Sequence, residues 1–179
     1  MHILGYRVPE LVVVGILAGL ALGLAVGLLA HRRGPGATRL LGLSGLTFFV
    51  AFVLSVTLAP SGRSFSSSCS LVLPADTLSW SDDQRMLNLL LFVPLGLFAV
   101  LAVADRGQRV AVPIALVGLS AAVEVLQNTA FVARSCDLTD LFDNGVGSVA
   151  GAALGALVVG GLSLIDYQGR RTQPVPSRT

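Results

Sequence analysis

VPELVVVGILAGLALGLAVGLLA, running from Val8 to Ala30 and followed at once by His31-Arg32-Arg33, is the stretch on which the reading of this fold turns. Only Pro9 and Glu10, both near its start, interrupt an apolar run long enough to cross about 30 Å of hydrocarbon. A cleaved signal peptide would carry its positive charge before the apolar core, would have a shorter core and would end in a small-residue cleavage site. The run therefore reads as a retained transmembrane helix.

The same pattern recurs along the chain. Leu40 to Ala59 is a second span, closed by Pro60-Ser61-Gly62, and Asn88 to Ala104 is a third, containing Pro94, which removes one helical hydrogen bond and should kink the helix. Val110 to Phe131 is a fourth and Asn144 to Ile165 a fifth. The serine-rich stretch from Ser61 to Arg85 is the longest connection, large enough for a short surface helix. The expected fold is all-α, a polytopic bundle of about five transmembrane helices with a small extracytoplasmic loop face. Its parts are two N-terminal helices (1–60), an outer loop (61–87), a three-helix core (88–165) and a cytoplasmic tail (166–179) expected to be disordered.

Composition agrees and narrows the chemistry. The 179 residues are 54% hydrophobic and 12% charged, with a mean hydropathy of +0.80, far from the balance of a water-soluble domain. All twelve basic residues are arginines, which excludes Schiff-base chemistry, a lysine-anchored pyridoxal cofactor and a serine-lysine dyad. His2 and His31 stand apart from any cysteine or carboxylate cluster, so neither a metal site nor a histidine base is expected, and no cofactor is implied. A net charge of +2, dispersed along the chain, gives no footprint for nucleic acid.

Arg32, Arg33 and Arg39 lie between the first two spans, Arg106 and Arg109 between the third and fourth, and Arg170, Arg171 and Arg178 after the fifth. The positive-inside rule then places the amino terminus outside and the carboxyl terminus in the cytoplasm of a cell membrane crossed several times. Cys69 and Cys136 both fall in outer segments, the oxidising side, and a disulfide between them is expected.

Glycine recurs every fourth residue at Gly15, Gly19, Gly23 and Gly27, and again at Gly147, Gly151 and Gly155. Such stripes let helices approach closely in lipid, either within one bundle or between two copies of it. Glu124 is costly within a span and needs a partner. With Ser120, Gln127 and Asn128 it forms one polar stripe, and Arg134, Asp137, Asp140, Asp143 and Asn144 follow just above it. One reading is structural: Arg134 neutralises Glu124 or an aspartate, Asp140 caps the fifth helix with Asp143 in its first turn, and Asn88 caps the third. The other is an outward polar pocket able to hold a head group, phosphate or sugar, with Arg134 supplying bidentate contacts.

Taken in order, Asn88-Leu-Leu-Leu-Phe92-Val-Pro94-Leu-Gly96, Ser120 with Glu124 and Gln127, Arg134-Ser-Cys-Asp137-Leu-Thr-Asp140, and Asn144 with Gly147 and Gly151 resemble the VanZ-like family of small bacterial membrane proteins. The blocks cover about the second half of the chain; the first two helices carry none. The family's hydrophobic-threonine pair after the asparagine is replaced here by Gly145-Val146. The resemblance implies a cell-envelope protein associated with tolerance to the glycopeptide teicoplanin, which differs from vancomycin chiefly by an acyl chain. Carried over residue by residue, its polar positions are Asn88, Glu124, Gln127, Arg134, Asp137, Asp140 and Asn144. The expected partners are membrane lipids and a lipid-linked envelope precursor or lipoglycopeptide at the outer leaflet. Two alternatives stand beside this reading: an intramembrane enzyme using Glu124 with Asp137 or Asp140 on an envelope lipid or glycan, and a small transporter dimerised through the glycine stripes.

Overall fold

The computed structural model describes residues 2–3, 6–7, 10–32, 34, 36–59, 69–70, 83–128 and 136–171. Five helices dominate: α1 (Glu10–His31), α2 (Ala37–Thr57), α3 (Asp83–Ala102), α4 (Arg106–Gln127) and α5 (Leu138–Arg171). All five are long and apolar enough to cross a membrane. Two minimal pairings accompany them. β1 (His2–Ile3) lies antiparallel to β2 (Tyr6–Arg7), and β3 (Cys69–Ser70) lies parallel to β4 (Cys136–Asp137).

Local chemistry marks the starts of α1 and α4 and the turn between α1 and α2. Pro9 precedes α1, and Glu10 places an acidic group in its first turn, where the helix dipole favours one. After His31, Gly34 takes the left-handed conformation at φ 70°, turning the chain toward α2. Asp105 caps α4, its carboxylate accepting from the Gln108 N–H at 3.0 Å. Helix α3 continues past Pro94 from Asp83 to Ala102, although Pro94 itself has no N–H to donate.

Boundaries differ from expectation at both ends of the second half. Helix α3 starts five residues before Asn88, because Asp83-Gln84-Arg85 continues the helical turn instead of belonging to the loop. Helix α5 starts at Leu138, six residues before Asn144, and continues through Asp166 to Arg171, so the segment expected to be disordered from 166 is helical in its first part. At about 1.5 Å per residue α5 is about 50 Å long, more than the hydrocarbon thickness, and its polar carboxyl end extends the helix beyond the apolar layer. The expected surface helix between Ser61 and Arg85, the Arg134 contacts and the final tail residues lie outside the described residues.

The helices pack as a row folded on itself: α1 on α2, α2 on α3, α3 on α5, and α4 against α5 and α3. The common core comes from α2 to α5 and includes Val53, Phe92, Leu95, Val100, Val112 and Leu116. Phe49 of α2 stacks on Phe98 of α3 with ring centroids 5.4 Å apart. Helix α1 contributes nothing to that core and leaves Leu17, Leu24, Leu28 and Leu29 at least 60% exposed, which suits a helix solvated by lipid.

Both glycine stripes are used inside one chain. The first lies on α2, where side chains built at Gly15, Gly19, Gly23 and Gly27 would meet Ser55, Ala51, Phe48 and Ser44. The second lies on α3, where a Cβ at Gly147, Gly151 or Gly155 would run into the carbonyl oxygens of Leu89, Val93 and Leu97 in turn. The backbones therefore approach as closely as only glycine permits. Gly151→Val is expected to lower unfolding stability in detergent by about 3 kcal/mol, the upper part of the usual overpacking cost. Gly161→Ala, whose Cβ meets nothing within 4 Å, serves as the neutral control in the same denaturation measurement.

Candidate functional site

Polar side chains gather where the end of α2, the start of α3, the end of α4 and the start of α5 meet. Arg85 and Asp143 form a bidentate pair at the base of α3 and α5: Nε donates to Oδ2 at 3.0 Å and Nη2 to Oδ1 at 2.9 Å. Arg85 is 7% exposed and Asp143 is fully buried, so each charge is compensated by the other in a low-dielectric setting. One turn on, the Asn88 amide donates to Asp140 Oδ1 at 2.6 Å. Asn88 is thus a helix-interior residue binding across to α5, not the cap of α3, since the helix begins before it.

The α4 stripe faces inward as its spacing predicts, with Ser120, Glu124 and Gln127 all buried. Glu124 Oε2 accepts from the Asp137 N–H at 3.0 Å, and Asp137 Oδ1 accepts from the Thr139 N–H at 2.9 Å, which makes Asp137 the cap of α5. Gln127 Nε2 donates at 2.9 Å to the carbonyl of Thr57, one of the carbonyls that the end of α2 leaves without a helical partner. Asn144 donates to Ser120 Oγ at 2.8 Å, and Ser148 Oγ donates to the Asn144 carbonyl. The remaining polar atoms stand out: Asn144 Oδ1 and Asn128 Oδ1 are buried and accept no hydrogen bond among the described residues. Buried acceptors of this kind are satisfied by a water or ligand in most proteins.

Beside this layer lies a cavity of about 390 Å³ between α2, α3, α4 and α5. Its walls are apolar, formed by Phe49, Phe52, Val56, Leu87, Leu91 and Pro94 among others, and its polar groups are Thr57, Asn88, Gln127 and Asp140. Of the seven residues singled out from the sequence, Asn88, Gln127 and Asp140 line it together. Glu124, Asp137 and Asn144 belong to the adjoining polar layer, and Arg134 is outside the described residues. Among the described residues no three of His, Cys, Asp and Glu converge as a metal ion would require.

Arg85 is the site residue that sequence reading missed, having been assigned to the outer loop. The run Ser81-Asp82-Asp83-Gln84 has the Ser-x-x-Gln form of a helix start and, weighed against the loop composition, would have drawn the start of α3 forward to include it.

Five membrane-length helices, with a buried polar layer near one end of the bundle, define a multi-pass helical membrane protein. Residues 37–159 match the family model VanZ/LLP1, more than half of the chain, and the protein belongs to that family. The match begins at the first residue of α2, so α2 falls within the matched region and α1 alone among the helices lies before it. No curated protein and no solved structure matches the chain.

Breaking the buried pair has a sharp expected outcome. Asp143→Asn removes the carboxylate from the bidentate contact with the buried Arg85 and is expected to cost about 3–5 kcal/mol of stability. The double variant Arg85→Met with Asp143→Leu is expected to cost clearly less than the two single changes together, read from denaturant titration of the protein in detergent.

Proposed function

We propose that the cavity between α2, α3, α4 and α5 holds an amphipathic cell-envelope molecule, a lipid-linked precursor or lipoglycopeptide, and that by this binding the protein contributes to glycopeptide tolerance. The observation that carries the reading is the two-part lining: an apolar wall long enough for part of an acyl chain, and at its end an amide, a carboxylate and a hydroxyl able to meet a head group. Asn88 and Asp140, joined at 2.6 Å, supply donor and acceptor on neighbouring helices. Asn144 Oδ1, buried and without a hydrogen-bond partner among the described residues, offers the adjoining layer one more acceptor for a donor of the head group or a bridging water. A ligand with both a tail and a polar head fits this lining better than one with either alone, which suits teicoplanin above vancomycin.

The test is susceptibility of a host lacking this protein, complemented with wild type, Asn88→Leu or Val56→Trp at equal membrane abundance. Asn88→Leu removes a polar contact and Val56→Trp fills the apolar wall. Wild type is expected to raise teicoplanin tolerance more than vancomycin tolerance, and each variant to lose most of that protection. Equal protection by all three would overturn the reading.

The proposed orientation has this cavity at the outer leaflet. It rests on the arginines: Arg39 donates to the Ala102 carbonyl and Arg109 to those of Val103 and Ala104, so the basic connections gather at the opposite end of the bundle, which the positive-inside rule assigns to the cytoplasm. The Cys69–Cys136 disulfide belongs to the same proposal. The two residues are directly paired across β3 and β4, and neighbouring strands about 4.8 Å apart bring Cα atoms within the span a disulfide bridges; the side chains themselves lie outside the described residues. Polyethylene-glycol maleimide is expected to shift the denatured protein on a gel only after reduction. Labelling of both cysteines without reductant would remove the disulfide and its support for the orientation.

A further inference from the structure

At the arginine-bearing end of the bundle, away from the polar layer, α3, α4 and α5 enclose a second cavity of about 460 Å³. Arg106 and Arg109 stand at its rim, and Val100, Val110, Ala156 and Gly160 are among the residues that line it below. Arg109 is held in place, because Nε and Nη2 donate to the Val103 and Ala104 carbonyls at 3.2 and 3.1 Å. That leaves further guanidinium N–H groups to donate elsewhere. Arg106, one turn earlier on the same helix, is exposed and makes no hydrogen bond or ion pair among the described residues. The nearby carboxylate of Asp105 is engaged in capping α4 through the Gln108 N–H. Below the arginines the floor is made of small residues, Ala152, Ala156 and Gly160, each four apart on α5, and a Cβ at Gly160 would meet nothing within 4 Å.

From this juxtaposition we propose that the cavity binds an anionic phospholipid, its phosphate between Arg106 and Arg109 and one acyl chain lying along the Ala152-Ala156-Gly160 groove. Two guanidinium groups over an apolar trough complement a phosphate with an attached chain, and basic pockets between transmembrane helices recognise such lipids by this combination. The proposal is independent of the ligand assigned to the opposite cavity.

The experiment is native mass spectrometry of the full-length protein released from detergent containing equal amounts of dioleoyl phosphatidylglycerol and dioleoyl phosphatidylcholine, with inorganic phosphate as a separate competitor. Wild type is expected to retain phosphatidylglycerol selectively. Arg106→Gln with Arg109→Gln is expected to lower that selectivity on the order of tenfold to thirtyfold, as for loss of two basic groups at an anionic surface. Arg106→Gln alone, which disturbs no side-chain hydrogen bond among the described residues, is expected to give a smaller loss in the same direction. Gly160→Leu, which fills the trough without altering charge, is expected to reduce phosphatidylglycerol retention while leaving the protein folded. Equal retention of the two lipids by wild type, or retention of phosphatidylglycerol unchanged in all variants, overturns the proposal. Full displacement by inorganic phosphate together with an unaffected Gly160→Leu identifies a free-phosphate site and also overturns it, as does a dimer that dissociates when the trough is filled.

Discussion

The buried Arg85–Asp143 pair is the constraint on which the arrangement of the other groups depends. Within or beside hydrocarbon, neither charge has water to fall back on, so each must find the other with good geometry or be left at a cost of several kcal/mol. Satisfying that demand fixes α3 against α5 at one end. From there the contacts descend in matched steps of four: Leu89 against Gly147, Val93 against Gly151, Leu97 against Gly155. The two helices therefore run parallel, with α4 returning between them in sequence, and the ion pair sets the register that the glycines then permit.

The polar layer follows the same logic. Most of its members complete helix ends: Gln127 meets the last carbonyl of α2, Asp137 caps α5, and Glu124 receives the Asp137 N–H. These are the groups that a bundle in lipid is obliged to satisfy internally. They account for the cost of placing Glu124 within a span without any ligand. What this bookkeeping leaves over is small and specific, namely two buried carboxamide oxygens and an apolar cavity edged by Asn88, Asp140, Gln127 and Thr57.

The two ends of the bundle consequently differ in kind. One holds the buried Arg85–Asp143 pair beside a cavity whose polar groups are mostly neutral; the other has Arg109 bracing the end of α3 and, with Arg106, lining a second cavity. Such an asymmetry suits a protein that meets two chemically different leaflets. Helix α1, apolar on all sides and laid against α2, lines neither cavity and adds nothing to the core shared by the other four among the described residues.

Much of this was legible in the residues themselves. Length and hydropathy of the apolar runs determined five spans, because crossing hydrocarbon imposes a minimum run of apolar residues that few other structures need. The period of four in Gly15 to Gly27 and Gly147 to Gly155 announced close helix contacts, and the spacing of Ser120, Glu124 and Gln127 announced one buried face, since helical geometry is local. Which helix each stripe would meet, that Arg85 neutralises the buried Asp143, and that Asn88 reaches Asp140 were decided only by the tertiary structure. The last two are pairings across more than fifty residues, and all are settled by the packing of whole helices, which no local pattern encodes.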